Sequence, residues 1–445
     1  MDSISRRDFA RAASLASAAS YSRILGANDR VRMGFIGLGN RGDQVHDAFL
    51  EHGDSQTVAV CDLRDDYLDF ASKKSRGTPT RYKEYKKLLE DKNVDAVAIA
   101  TPDHWHALMF TDACNAGKDV YVEKPLSLTV FEGRRMVEVA EKTKRVTQVG
   151  IHRRSGKFLM EAVDYVRSGA LGKISLAKSF HIQNEWPNGL GAVPDGPPPS
   201  EWEWDQWLGP APKVPYNRNR TFYNFRWFYN YSGGQLTNFG VHYMDMLRWA
   251  LGKESPKAVV AMGGRYGDIK DNREIPDTLE VMWDFGDLMM IFCCYDANGA
   301  NGCATGAEME IRGTKGTLYL YGNRWEVVSE RVTEKAFGAR TPLDRVTERS
   351  YGPSKKPALA ELKSGKGSAD TAFHARNFLD CIKSRKKCNC DILIGHISTS
   401  NTLIGNIAHK TKSYLEWDGK TEKFTNNAAA NKYLFYQYRA PYKLG

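Results

Sequence analysis

The stretch VRMGFIGLGNRG, residues 31–42, decides the fold. Its first half is a short apolar run of the kind that forms a buried β-strand, and a polar helix is predicted after its glycines. Glycines at this spacing let the backbone approach a pyrophosphate, which rests on the N-terminus of the helix. The stretch therefore predicts a dinucleotide site. The residues predicted to form it are Gly37, Leu38, Gly39, Asn40, Arg41 and Gly42.

The segments that follow alternate between β-rich runs and helical stretches. The further β-rich runs are TVAVCD (57–62), DAVAIATP (95–102), DVYVEKP (119–125) and RVTQVGIH (145–152). Strands that are apolar throughout and separated by helices indicate a parallel sheet with helices on both faces. We therefore predict an α/β domain that binds a dinucleotide over residues 28–150.

Asp62 supports the same prediction. It ends the second β-rich run about 20 residues beyond Gly42, where the acid of a dinucleotide-binding domain holds the ribose hydroxyls. A carboxylate at that place repels the 2′-phosphate of NADP, so the sequence favours NAD as the cofactor. Arg64 lies close by and leaves NADP as the alternative.

Two further motifs, TPDHWH (101–106) and VEKPLS (122–127), follow the third and fourth β-rich runs. With them the chain resembles the Gfo/Idh/MocA oxidoreductases, the group of glucose–fructose oxidoreductase and inositol dehydrogenase, from about Val31 to beyond Trp249. The resemblance implies a Rossmann domain followed by a C-terminal α/β domain with a large, mostly antiparallel sheet. A carbohydrate-like substrate, usually a sugar or polyol, would bind between the two, over the nicotinamide.

The resemblance also implies further contacts to the cofactor. The residues that it places along the cofactor and towards its nicotinamide end are Thr101, Pro102, Asp103, His106, Glu123, Lys124 and Gln148. Lys124 is in addition a sensible general acid or base, because burial and a neighbouring cationic ring both lower the pKa of a lysine. The alternative is a Lys124 that pairs with Glu123 and only shapes a turn before Pro125.

A second family motif is GGQLTNFGVHYMDMLRWALG (233–252), predicted to be a helix entered through a glycine turn. The resemblance implies that Asn238, His242 and Asp245 join Lys124 at the catalytic site. The family commonly has Asp, three residues and then His, whereas Asn238 stands first here. Asn can bond a hydroxyl but cannot titrate, so Lys124 and His242 would carry the proton chemistry while Asn238 orients the substrate. A core His242 bonded to Asp245 is the alternative.

A Trp-rich loop lies between the two motifs, at residues 185–234. It holds five of the ten tryptophans, at positions 186, 202, 204, 207 and 227, and its Pro and Gly rule out long regular elements. Two interpretations are open. The aromatic faces could stack against sugar rings, or they could staple the loop and build a subunit contact.

The C-terminal α/β domain is predicted to run from residue 151 to 445. After the Trp-rich loop it continues with β-rich segments separated by turns, which fit the expected sheet. TAFHARNFLDCIKS (371–384) and GHISTSNTLIGNIAHKT (395–411) are predicted to be amphipathic helices.

The first 27 residues have the layout of an export signal. Arg6 and Arg7 precede Phe9 and a weakly apolar run of Ala, Ser and Leu, which resembles a twin-arginine signal and is too short and polar to span a bilayer. A periplasmic or extracellular protein is therefore expected. The alternative is a basic helical N-terminus with no targeting role, in a cytoplasmic protein.

Composition excludes several classes of partner. The 445 residues carry a net charge of +10, but Lys and Arg are scattered, so no nucleic-acid partner is expected. The chain beyond the signal has no apolar run long enough to span a membrane, so no stable insertion is expected. The ten histidines are dispersed and no paired ligand motif occurs, so no metal is expected. A homo-oligomer, a dimer or a tetramer, is expected.

An export signal and a dinucleotide site are compatible if the protein folds around its cofactor before export. No nicotinamide pool can be assumed outside the inner membrane, so the cofactor should be held tightly and returned to its starting state in each turnover. Three functions remain: an NAD(P)-dependent oxidoreductase that acts on a sugar or polyol hydroxyl by hydride transfer, an NAD-dependent redox glycoside hydrolase or lyase on the same fold, and a non-catalytic dinucleotide-bound binding protein. Lys124 and His242 argue against the third.

Overall fold

The β-rich runs of the first 150 residues form one parallel sheet. In the computed structural model, which describes residues 30–200, 202–333 and 355–444, its strands are β1 (Val31–Ile36), β2 (Ser55–Cys61), β3 (Thr80–Tyr82), β4 (Ala96–Ile99), β5 (Asp119–Val122) and β6 (Thr147–Val149). The connecting helices are α1 (Asn40–Leu50), α2 (Asp65–Lys74), α3 (Tyr85–Glu90), α4 (Asp103–Asn115) and α5 (Val130–Thr143). The strand order is β3-β2-β1-β4-β5-β6, and every neighbouring pair is parallel. The predicted Rossmann sheet is confirmed.

A second sheet follows the first. Its strands are β7 (Ile174–Ile182), β8 (Ala258–Gly264), β9 (Thr278–Asp284), β10 (Met289–Tyr295), β11 (Met309–Gly313), β12 (Gly316–Leu320), β13 (Arg324–Ser329), β16 (Ser364–Lys366), β17 (Leu415–Asp418) and β18 (Lys423–Phe424), while β14 (Arg331–Val332) and β15 (Lys356–Pro357) pair separately. Among its ten strands, in the order β16-β13-β12-β11-β7-β10-β9-β8-β17-β18, only β7 and β10 pair in parallel. The expected large, mostly antiparallel sheet is confirmed.

The helices beyond the first sheet pack against both sheets. They are α6 (Lys157–Arg167), α7 (Trp204–Leu208), α8 (Gly234–Asn238), α9 (Gly240–Leu251), α10 (Thr371–Ser384) and α11 (Ile392–Thr411). Phe378 of α10 lies in the core of the first sheet. Its ring forms edge-to-face contacts with the rings of Phe49 and Tyr121, at centroid distances of 6.1 and 6.0 Å. A helix near the C-terminal end of the chain therefore covers one face of the dinucleotide-binding domain.

The N-terminal prediction falls on residues that the structure does not describe. The signal segment, residues 1–27, lies outside the described ranges, and so does the stretch 334–354. Within those ranges, no helix is long and apolar enough to cross a membrane.

Candidate active site

The glycine turn between β1 and α1 requires glycine at two positions for steric reasons. Gly37 has a φ of +84°, and a Cβ there would lie 2.8 Å from the backbone of Ala100 and Thr101. A Cβ on Gly42 would overlap the carbonyl oxygen of Gly37. Gly39 precedes α1 and offers no side chain to cap it, so the first amides of the helix keep their capacity to bind an anion.

Asp62 holds this turn from the end of β2. Its carboxylate accepts hydrogen bonds from the backbone amides of Leu38 at 2.7 Å and of Arg64 at 3.0 Å. Burial raises the pKa of Asp62, and the two amide bonds oppose that shift. The Arg64 guanidinium pairs with Asp66 and lies over the rings of Tyr67 and Trp202, 5.1 and 5.4 Å from their centroids. The acid and the arginine predicted to choose the cofactor are therefore both in place beside the turn.

A cleft of about 580 Å³ runs from the glycine turn to Lys124. Its walls come from the Rossmann domain, from the Trp-rich loop and from the C-terminal tail. The predicted residues that line it are Gly37, Gly39, Asn40, Arg41, Asp62, Thr101, Pro102, Asp103, Glu123 and Lys124. The structure thus brings the glycine turn and the motifs TPDHWH and VEKPLS to one cavity.

His106 and Gln148 are two predicted cofactor contacts that do not line the cleft. The two ring nitrogens of His106 lie 2.8 Å from the carbonyl oxygen of Pro125 and 2.9 Å from that of Thr101. Gln148 is buried and donates its Nε2 hydrogen to the carbonyl oxygen of His374 at 2.7 Å. Both residues support the walls of the cleft from behind, because their polar atoms are used by the backbone.

Lys124 reaches the cleft and is held by Asn238. Its Nζ donates to the backbone oxygen of Asn238 at 3.0 Å and to the Oδ1 atom at 2.7 Å. Burial, followed by the positive charge of Arg226, lowers the pKa of Lys124 to about 8. A lysine with this pKa exchanges a proton near neutral pH, as the sequence predicts for a general acid or base.

Glu123 is bound to a different partner. Its Oε1 accepts from Arg41 Nε at 2.9 Å, and its Oε2 accepts from the backbone amide of Lys124 at 3.2 Å. A Cβ on Gly150 would lie 2.6 Å from the same carboxylate, so that glycine leaves room for the acid. The alternative in which the Lys124 side chain pairs with Glu123 is wrong, because its ammonium is bonded to Asn238.

His242 lies behind Lys124, next to a second histidine that the sequence analysis missed. The rings of His242 and His152 form a T-shaped, edge-to-face contact with their centroids 5.1 Å apart. Both Nδ1 atoms are buried without a partner among the described residues. Burial, followed by the charge of Lys124, lowers the pKa of His242 well below its usual value, and burial does the same for His152. Both rings are therefore neutral, with unused hydrogen-bonding capacity. His152 ends the run RVTQVGIH, but only the packing shows its neighbour.

Asp245, which is predicted to be catalytic, does not line the cleft. It is fully buried and accepts two hydrogen bonds from Arg154, at 2.7 and 3.0 Å, and one from Ser398 at 2.6 Å. The alternative of a bond between His242 and Asp245 is wrong, since the carboxylate of Asp245 is bonded to Arg154 and Ser398 instead. Asp245 is thus one half of a buried ion pair with Arg154, and its carboxylate has no access to the cleft.

The Trp-rich loop covers the cleft. Trp204 and Trp207 stack at 5.0 Å with an interplanar angle of 13° and belong to a buried cluster with Trp227. The carbonyl oxygen of Trp207 accepts from Trp105 Nε1 at 2.9 Å and lies 3.1 Å from the ring nitrogen of His104, so the loop is fastened to the start of α4. These three tryptophans staple the loop.

Trp207 itself and six further residues of the loop face the cavity. They are Trp202, Gln206, Trp207, Phe222, Tyr223, Phe225 and Arg226. Tyr223 and Arg226 could not be identified from the sequence, because nothing in an aromatic loop shows which side chains face inwards.

The C-terminal tail closes the outer side of this cover and was also missed. Arg439 binds Asp205 through its Nη1 at 2.6 Å and the carbonyl oxygen of Gly209 through its Nε at 3.0 Å. Tyr442 lines the cleft, and its ring makes an edge-to-face contact with the ring of Trp105, with the centroids 5.4 Å apart. The tail therefore joins the Trp-rich loop to α4 across the cleft.

Comparison with known families agrees with this architecture. Residues 31–151 match the Gfo/Idh/MocA oxidoreductase family, NAD-binding Rossmann fold, and residues 163–268 and 355–444 match the C-terminal alpha/beta domain of the same family. Among curated proteins, a glycosyl hydrolase family 109 protein of Shewanella sp. (strain W3-18-1) is 33% identical over 162 residues. That match covers 35% of this chain and 35% of the relative, so the similar region is about a third of either length.

Two solved structures share the fold. Scyllo-inositol dehydrogenase from Lactobacillus casei, with bound NAD(H) and scyllo-inositol, is 18% identical with a TM-score of 0.58 and covers 87% of this chain and 99% of its own. The WlbA dehydrogenase from Bordetella pertussis, in complex with NADH and UDP-GlcNAcA, is 17% identical with a TM-score of 0.61 and the same two coverages. At these identities the likeness establishes the fold.

Proposed function

Because the chain belongs to the Gfo/Idh/MocA oxidoreductase family, we propose that it is an NAD(P)-dependent oxidoreductase that acts on a hydroxyl of a sugar or polyol. The observation that carries the proposal is the position of Lys124. Its amine lies in the same cleft as the glycine turn, and its lowered pKa suits proton transfer. Lys124 is the residue that we assign as the general base.

The residues of the cleft fit a nicotinamide dinucleotide. A Cβ on Gly39 would meet only the ring of Tyr67, at 3.5 Å, so the backbone at this point faces the cavity. The uncapped N-terminus of α1 suits the pyrophosphate, and Asp62 suits the ribose hydroxyls. When bound, the cofactor supplies the acceptor for a hydride from the alcohol carbon.

Lys124 is arranged to accept the hydroxyl proton. A neutral amine has two hydrogens and one lone pair, and the two oxygens of Asn238 take the two hydrogens. The lone pair is then left for the substrate hydroxyl. Protonation converts the amine to an ammonium beside Arg226, and that unfavourable pair of charges makes the proton easy to return.

His242 and His152 extend the polar wall behind Lys124. We assign His242 a supporting role behind Lys124, since it does not line the cleft and its Nδ1 is buried without a partner among the described residues. A neutral ring in this position can donate or accept, and it relays protons without adding a charge to the site.

The same proposal includes tight retention of the cofactor and export of the folded protein. The covering loop and tail support slow release, and Arg6 and Arg7 support the twin-arginine route. A periplasmic or extracellular location follows from that route, and assembly into a homodimer or tetramer remains part of the proposal.

The test is to follow the nicotinamide absorbance band of purified protein while sugars and polyols are added, with the products identified in parallel. Dinucleotide that stays with the protein through gel filtration and is reduced by an added sugar would support the proposal. An empty protein that needs free NAD at millimolar concentration and releases NADH would overturn the retention and export parts.

A redox glycoside hydrolase is the second candidate, and the family 109 relatives are the observation that favours it. Such an enzyme begins with the same oxidation of a ring hydroxyl, so Lys124 would keep its role. The products separate the two functions, because the hydrolase releases an aglycone and a free sugar, whereas the oxidoreductase produces a ketosugar or a lactone.

Cofactor choice provides one prediction. Replacing Asp62 with Asn should relax a preference for NAD over NADP by roughly 10-fold or more, because a charge clash with a 2′-phosphate is worth about 1–3 kcal/mol in a partly buried site. Asn keeps an oxygen that can accept from Leu38, so the turn should survive. The measurement is a titration of apoprotein with both cofactors. Equal or tighter binding of NADP by the unmodified protein would contradict the prediction.

A further inference from the structure

Two cations at the reactive end of the cleft share one neutral side chain. Asn238 Oδ1 accepts from Lys124 Nζ at 2.7 Å and from Arg226 Nε at 3.2 Å. Both cations line the cleft. The related sequence pattern commonly has a carboxylate where Asn238 stands, and Asn carries no charge. The position that would hold a counterion for Lys124 and Arg226 therefore holds none.

The acids nearby have other partners. Glu123 is bound to Arg41 at 2.9 Å, and Asp103 accepts a hydrogen bond from the hydroxyl of Ser232. Within residues 30–200, 202–333 and 355–444, no carboxylate forms an ion pair with Lys124 or Arg226. Burial, followed by the positive charge of Arg226, lowers the pKa of Lys124, while the charges of Glu123 and Asp103 act in the opposite direction without forming an ion pair with it.

Arg226 is held in a fixed orientation. Its Nη1 donates to the carbonyl oxygen of Tyr223 at 3.1 Å, and the guanidinium lies over the rings of Tyr223 and Phe225, 4.3 and 4.6 Å from their centroids. No hydrogen bond from Nη2 occurs among the described residues. A planar guanidinium that is positioned by its neighbours and keeps free donors suits a planar carboxylate, which it can bind through two parallel hydrogen bonds.

We propose that the missing counterion belongs to the substrate, and that this site takes a sugar bearing a carboxylate, such as a uronic acid, with its carboxylate on Arg226 and its reacting hydroxyl on Lys124. This inference rests on the oxidoreductase function proposed above and narrows its substrate class. The pyrophosphate of the cofactor is the competing anion, but it is expected at the glycine turn, whereas Arg226 is bonded to Asn238 beside Lys124.

The experiment uses the purified full-length protein with its bound dinucleotide. Glucuronate and galacturonate are compared with glucose, galactose and glucose 6-phosphate, and reduction of the cofactor is followed by absorbance. We expect kcat/KM to be on the order of 10- to 100-fold higher for the uronates than for the matched neutral sugars, the usual worth of hydrogen bonds to a charged group. Equal values for uronate and neutral sugar, or a preference for the phosphate, would overturn the proposal.

Two variants test the residues. Arg226→Gln should lower kcat/KM for uronates 10- to 100-fold more than for neutral sugars, and it should move the pH dependence of turnover upwards because a charge beside Lys124 is lost. Asn238→Asp supplies an internal carboxylate and should also weaken uronate binding. Arg218→Gln is the matched control, since Arg218 is an exposed arginine of the same loop that does not line the cleft.

The remaining outcomes separate this proposal from the general one. If Arg226→Gln loses its bound dinucleotide by native mass spectrometry, the arginine serves the pyrophosphate and the proposal is wrong. If no sugar reduces the cofactor, the oxidoreductase function fails, and calorimetric titration of the holoprotein with glucuronate then decides the binding question. Uronate binding that depends on Arg226 would support the anion site on its own, and an absence of binding would refute it.

Discussion

Replacement of Lys124 by Ala should lower turnover by about 10²–10⁴-fold, which is the usual contribution of general acid or base catalysis. The dinucleotide should remain bound, because the glycine turn and Asp62 lie elsewhere in the cleft. The measurement is single-turnover reduction of the bound cofactor, with native mass spectrometry to count the cofactor. Lys124→Arg is the matched control: it keeps the positive charge but cannot lose its proton near neutral pH, so it should be about as slow as Ala.

The pH dependence gives this prediction a second readout. The base must be neutral to accept a proton, so turnover in the oxidation direction should rise with pH and level off above the pKa of about 8. Below that pH the protonated fraction grows, and the rate should fall tenfold for each unit. Turnover of the Ala variant within a few-fold of the unmodified protein, or a profile without this limb, would show that Lys124 only supports the turn.

Replacement of Gly42 by Ala should abolish cofactor binding at ordinary concentrations. The added Cβ would overlap the carbonyl oxygen of Gly37, and a backbone atom cannot move aside as a flexible side chain can. Overpacking of this kind typically costs about 1–3 kcal/mol or more, and the displaced turn is the one that receives the pyrophosphate. We expect the dissociation constant of the cofactor to rise at least 100-fold, as measured by titration of apoprotein.

Gly53→Ala is the matched control for this substitution. Gly53 belongs to the same domain and lies between α1 and β2, and a Cβ there would meet nothing within 4 Å. It should therefore bind the cofactor like the unmodified protein and unfold at the same temperature. Unimpaired binding by Gly42→Ala would contradict the assignment of the turn as the pyrophosphate site.

The fold could be derived from the sequence because its signals are local. Five of the six strands of the first sheet are β-rich runs next to a helix, and the glycine turn lies within twelve consecutive residues, 31–42. The edge strand β3 (Thr80–Tyr82) was missed, because its sequence TRY is not apolar and two of its residues are exposed. The spacing from Gly42 to Asp62 spans α1 and β2, so it too is set by neighbouring elements. The expectation of a second, mostly antiparallel sheet came from the family resemblance, and the strand register confirms it.

The contacts of the site were harder to predict because they join segments that are distant in the chain. Helical spacing placed Asp245 near His242, yet it could not show that Arg154, from the segment before α6, takes the carboxylate. His106 has a residue type suited to a cofactor contact, but both of its nitrogens are used by backbone carbonyls. Which partner a polar side chain finds depends on packing, and hydrogen-bond capacity alone does not reveal it.

The sequence by itself therefore determined the parallel sheet, the glycine turn, Asp62 and the two motifs that carry Lys124 and Asn238. Only the tertiary structure placed Arg226 beside them, brought the edge of one of the rings of His152 and His242 against the face of the other, and placed Tyr442 in the wall of the cleft. The physical reason is the range of the interactions. Strand and turn preferences act between near neighbours, whereas burial, charge pairing and orphaned polar atoms arise when remote segments exclude water from one another.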